Sequence, residues 1–166
     1  LALVTFMLVA LLVSVFAISA KRAYADRQAV GRIADDVAVA RKSLSIRGAL
    51  RSEATYITTR YESNFIPTPA EGDTLRATHA ELMSEVQSLI GLLKKNGSGR
   101  WLEIETRAKR YDAVIPMVAD KFDLPLAQRP VSLTTRRRDA DKALVEEITR
   151  EAEAVTSRLT NFDATI

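Results

Sequence analysis

Cysteine is absent from the 166-residue chain and histidine occurs once, at position 79. A disulfide framework, a thiolate metal site and a histidine-rich metal site are thereby excluded, and no metal or cofactor is expected. With no cysteine, the redox compartment is left unmarked. Glycine and proline are also scarce, at six and five residues. They gather in a few short clusters, leaving long stretches rich in Ala, Leu, Glu, Arg, Lys and Thr, which predicts long helices and few turns. Charge of one sign is lacking too: 24 basic residues stand against 21 acidic ones, a formal +3, too balanced for a dedicated nucleic-acid surface. The length leaves room for one domain of ordinary size plus a short membrane segment. There is no nucleophile–histidine–carboxylate set, no glycine-rich phosphate loop and no Glu-x-x-His helix pair, so no enzyme activity is expected of this stretch.

Residues 1–20 lack charge altogether, and their only polar side chains are Thr5, Ser14 and Ser19. About 20 such residues at ~1.5 Å each match a hydrocarbon core of about 30 Å, so a transmembrane helix in the lipid bilayer is expected there, ended by Lys21 and Arg22. The alternative is a cleaved signal peptide, with a mature N-terminus near Lys21 or Asp26. The apolar run exceeds the roughly 7–15 residues of a signal core, and the helical pattern continues beyond it, which favours a retained anchor. Lys21, Arg22 and Arg27, taken alone, favour a cytoplasmic side for the residues C-terminal to the span.

Beyond the span, residues 21–166 carry four amphipathic patterns. Helix 1, about 26–63, places Val30, Ile33, Val37, Ala40 and Leu44, then Ile46, Leu50, Ala54, Ile57 and Tyr61, at steps of mostly three and four. Pro67 and Pro69 end it. Helix 2, about 73–96, has a stripe of Leu75, Leu82, Val86, Leu89 and Leu93 with His79 in line, and Asn96-Gly97-Ser98-Gly99 closes it. Helix 3, about 100–122, runs Trp101, Ile104, Ala108, Tyr111, Ile115, Val118 and Phe122, with Pro116 expected to kink rather than end it. Helix 4, about 133–166, turns Ala140, Leu144, Ile148, Val155, Leu159, Phe162 and Ile166 inward. Four one-sided helices with short connections predict an all-α fold: an antiparallel up-down-up-down four-helix bundle preceded by one transmembrane helix continuous with helix 1. Helix 4 would then return to the membrane, and a second span is expected to follow Ile166.

This arrangement resembles the extracytoplasmic sensor domains of bacterial transmembrane receptors. In detail, Ser45-Ile46-Arg47-Gly48-Ala49-Leu50-Arg51-Ser52-Glu53 and Arg136-Arg137-Arg138-Asp139-Ala140 resemble stretches in the sensor regions of chemoreceptors and membrane-bound diguanylate cyclases. The resemblance implies a periplasmic helical domain on a bacterial inner-membrane protein and a homodimer. It also implies a cytoplasmic output module, such as a diguanylate cyclase or histidine kinase, beyond this stretch. Binding of a ligand or a periplasmic partner protein would be passed on as a small displacement of helix 4 against helix 1. Two other readings compete: a membrane-anchored scaffolding bundle, and a secreted helical binding protein.

The candidate ligand-binding residues are Arg47, Arg51, Glu53, Arg136, Arg137 and Arg138. Counting from a common membrane end at about 1.5 Å per residue puts the three arginines of helix 4 near the height of Glu53. A guanidinium cluster at that height suits a small anionic ligand held bidentately. The competing reading is ordinary interhelical pairing with Glu53 and Asp139. Gly48 weakens helix 1 unless something approaches closely there. His79 is a candidate pH-sensing residue or a hydrogen-bonded boundary residue, and Trp101 and Tyr111 read as packing residues.

Overall fold

The computed structural model describes the backbone of residues 2–63 and 68–163, with side chains described from residue 16 onward except 17, 18, 22, 25, 26, 162 and 163. Among these residues the fold is all-α: α1 (Ala2–Arg60), α2 (Pro69–Lys95), α3 (Trp101–Ala119), a short 3₁₀ turn (Leu126–Gln128) and α4 (Val131–Asp163). The chain divides into two compact units, residues 1–35 and residues 36–166. The first is the N-terminal stretch of α1, on which Phe16, Tyr24 and Val30 are exposed. The second holds the core and all the candidate residues.

Among the described residues no helix is long and apolar enough to cross a membrane. From Lys21 on, α1 carries a charged residue every few positions, so this part of the helix is too polar to lie in hydrocarbon. The side chains of residues 1–15 lie outside the described residues. The expected transmembrane helix, the inner-membrane location with a periplasmic helical domain, and the chemoreceptor and diguanylate-cyclase terms attached to that span are corrected accordingly.

The helix ends follow local chemistry. The expected start of α2 near Asp73 moves back to Pro69, because Pro at the first helical position loses no needed donor. Glu71 secures that start by accepting the backbone N–H of Thr68 at 2.7 Å. Gly97, at φ 70°, lets the chain reverse after α2, and the N–H groups of Gly97 and Ser98 return to the carbonyls of Lys94 and Leu93. The helix α3 passes through Pro116 and ends at Ala119, so Phe122 sits in the turn after it. Gly72 permits a close approach there: a Cβ at this position would stand 3.1 Å from the Ala119 carbonyl oxygen.

In the second unit, α1 buries Val39, Ser43, Ile46, Leu50, Glu53 and Ile57, with Tyr61 just beyond its end. The apolar members of this face meet Leu75, Leu82, Val86, Leu89 and Leu93 of α2, Ile104, Ala108, Tyr111, Ile115 and Val118 of α3, and Leu133, Leu144, Ile148 and Val155 of α4 in one cluster. Each fully buried Leu or Ile contributes about 1.5–3 kcal/mol. Two residues of the expected α1 stripe are not inward: Val30 is 65% and Leu44 61% exposed. Polar Ser43 and Glu53 hold buried positions instead, so the hydrophobic pattern blended two faces of one helix.

One end of the core is closed by stacked rings and a guanidinium. Phe122 stacks on Tyr56 and Tyr61, with centroids 6.0 and 5.8 Å away. Arg129, from the α3–α4 connection, donates to the Leu124 carbonyl at 2.7 Å and to the carbonyls of Tyr61 and Ser63, and lies over the Tyr61 ring. It thereby satisfies acceptors beyond the C-terminal end of α1, where the helix dipole favours a cation. Replacing Arg129 by Ala should lower unfolding stability by about 2 kcal/mol, given the usual worth of charged hydrogen bonds. Urea titration of both proteins measures this, and a loss within error of zero would show that water serves those carbonyls equally well.

Candidate functional site

Two polar assemblies lie in the second unit. The first is a groove of about 520 Å³ between α1 and α4, lined by Leu44, Arg47, Gly48, Arg51, Ala54, Asp141 and Val145. Arg47, Gly48 and Arg51 share one face of α1 because three- and four-residue steps return to the same side of a helix. No ion pair reaches Arg47 or Arg51 among the described residues, and both are exposed. Nothing stands within 4 Å of a Cβ placed on Gly48, so this glycine serves no close helix approach and leaves the groove open. Across from it, Asp141 has one buried carboxyl oxygen, Oδ1, without a hydrogen-bond partner among the described residues. Burial pushes this carboxyl up to about 6; Arg137 works against that shift and Glu53 adds to it.

The second assembly crosses the core. The imidazole of His79 on α2 places Nδ1 at 3.2 Å from Glu53 of α1 and Nε2 at 3.2 Å from Asp112 of α3. The Tyr111 hydroxyl donates to the same Glu53 carboxylate, and its ring meets the imidazole edge-on at 5.4 Å. Burial drives the Tyr111 hydroxyl far above its ordinary range, and the neighbouring Glu53 charge adds to this, so Tyr111 remains a phenol donor. Glu53 and His79 are almost fully buried, whereas the Asp112 side chain is 58% exposed. Glu53 also lines a cavity of about 350 Å³ on the α1–α2 side, with Tyr56, Thr74 and Thr78.

The three arginines of α4 separate. Arg137 is buried and pairs with Glu62 at 2.6 Å, Arg138 pairs with the other oxygen of Glu62, and Arg136 is exposed with no ion pair among the described residues. Burial works to raise the Glu62 carboxyl, but hydrogen bonds from Arg138 and Arg137 outweigh it and hold it below the usual range. The structure thus sets Arg47 and Arg51 on one groove, puts Glu53 with His79, and commits Arg137 and Arg138 to Glu62. Sequence reading missed Asp141, Asp112, Tyr111 and Glu62 as members of these assemblies. Tyr111 alone carried a signal, its core spacing three residues from Ala108 and four from Ile115. Asp112 and Asp141 look like ordinary surface carboxylates until helices pack beside them.

Because Asp141 keeps its proton more tightly folded than unfolded, its contribution is full below about pH 4 and lost as pH rises through about 6. Asp141→Asn should therefore match wild type in stability at about pH 4 and exceed it near pH 7 by about 1 kcal/mol, after allowing for solvent screening at a partly exposed group. Denaturant midpoints at the two pH values measure this, and an equal gap at both would place the Asp141 carboxylate in water.

Among the described residues no group of acidic, histidine or cysteine side chains is placed to hold a metal ion. No family model, curated protein or solved structure matches the chain.

Proposed function

We propose that residues 36–166 form a ligand-sensing module that binds a small anion and answers by shifting helices, without chemistry of its own. The observation that carries this reading is the α1–α4 groove, where Arg47 and Arg51 have no carboxylate partner among the described residues and face the space left by Gly48. Two guanidiniums one helical turn apart suit a carboxylate or phosphate held by paired N–H groups. A ligand there touches both α1 and α4, so its differential binding energy would bias their relative position.

The reading takes the four helices as an antiparallel up-down-up-down bundle. Three cross-links support it. Asp36 meets Arg158 near the end of α4, whereas Glu62, just past α1, meets Arg137 near the start of α4, which supports opposite directions for these two helices. Arg76 early in α2 meets Asp120 just past α3, which supports an antiparallel direction for that pair too.

Calorimetry and thermal melting of the 166-residue chain against inorganic phosphate, acetate and succinate test the proposal. One of these probes should raise the melting temperature in wild type by mass action, and Arg47→Ala/Arg51→Ala should reduce its affinity at least tenfold, about 1.4 kcal/mol. Gly48→Ala should stabilise the free protein by about 0.5–1 kcal/mol while weakening the same probe. Failure of all three probes to bind would favour a scaffolding role.

A further inference from the structure

The polar assembly in the core shares no residue with the groove. Both ring nitrogens of His79 face carboxylate oxygens, Glu53 on α1 and Asp112 on α3. An ionised carboxylate only accepts hydrogen bonds, and a neutral imidazole has a single N–H, so only the imidazolium makes both links at once. We propose that His79 is a proton-operated latch: protonated, it ties α2 to both α1 and α3; deprotonated, it keeps Glu53 and lets go of Asp112.

The asymmetry comes from burial. Glu53 is closed inside the core and also held by Tyr111, so leaving it without the imidazole N–H strands a buried carboxylate. Asp112 is more than half exposed and finds water at once. Loss of the proton therefore loosens α2 from α3 and leaves α1–α2 joined. The charged and titratable groups around the ring are Glu53 from α1 and Tyr111 and Asp112 from α3. From α4, Arg137 and Asp141 act at longer range through Tyr111 and Glu53. Tyr111 stays protonated throughout, while the Asp141 carboxyl, pushed up to about 6, changes charge within the range tested and must be separated from the latch.

A link made only by imidazolium stabilises the fold at low pH and disappears as pH rises. The test uses the 166-residue chain and its Asp141→Asn, Asp112→Asn and His79→Gln variants, with ring-nitrogen and amide NMR and melting temperature followed from about pH 5 to about pH 8. In Asp141→Asn, the ring should pass from imidazolium to the tautomer that carries its proton on Nδ1. Amides around Asp112 should move with it, and melting should fall by about 3 °C over that range. Asp112→Asn keeps the exposed position polar and should abolish the coupled amide shifts while the ring still titrates; His79→Gln should flatten the melting profile. A ring that keeps one neutral form across the range, Asp112 amides that ignore the ring, or an unchanged melting profile in the His79→Gln/Asp141→Asn double variant would each overturn the latch.

Discussion

An ionisable side chain closed inside a helical core must find partners or lose its charge, and Glu53 is under that constraint. Its carboxylate is almost fully buried between α1, α2 and α3, and its oxygens are taken by His79 and Tyr111. Desolvating an unpaired carboxylate costs several kcal/mol. The pairing therefore dictates register: turning α2 or α3 by one residue, about 100°, would carry the partner away and leave the charge stranded. Apolar stripes alone would tolerate small slips, because one Leu packs much like another.

The same demand recurs along the second unit. Arg137 is held by Glu62, and Arg129 by main-chain oxygens beyond the end of α1. Glu151 is buried 3.6 Å from Arg100 and 3.8 Å from Arg158. Burial pushes that carboxyl upward against the pull of Arg158 and Arg100. Polar groups thus occupy core positions on α1, α2 and α4, and Glu53, His79, Arg137 and Glu151 each tie their helix to particular neighbours. Such pairs add little net stability over hydrophobic replacements, but breaking one leaves a costly orphan.

The groove between α1 and α4 is the exception. Arg47 and Arg51 are left to solvent, the glycine between them fills no close approach, and Asp141 keeps a buried oxygen without a partner among the described residues. Glu53 and Glu62 are committed to the domain's own hydroxyls, imidazole and guanidiniums; here the arginines face open space. In the proposed reading, a proton at His79 and an anion at this groove act on different helix pairs.

Much of this was legible in the residue order. The scarcity of Gly and Pro predicted long helices, and the stripes of α2 and α3 emerged with His79, Ala108 and Tyr111 in the core as spaced. Periodicity misled on α1, where exposed Val30 and Leu44 were merged with the buried face because hydrophobicity does not say which of two stripes finds a neighbour. Counting rise along helices 1 and 4 set the arginines of α4 at about the height of Glu53, whereas Arg137 and Arg138 pair with Glu62, just past α1. Sequence by itself determined the helical class, the break at Gly97, and the presence of Arg47, Gly48 and Arg51 on one helical face, because these depend on neighbours within a few residues. Only the tertiary structure decided that His79 lies between Glu53 and Asp112 and that Asp141 lines the groove with Arg47 and Arg51, because those pairings join residues far apart in the chain through the rotation and register of whole helices.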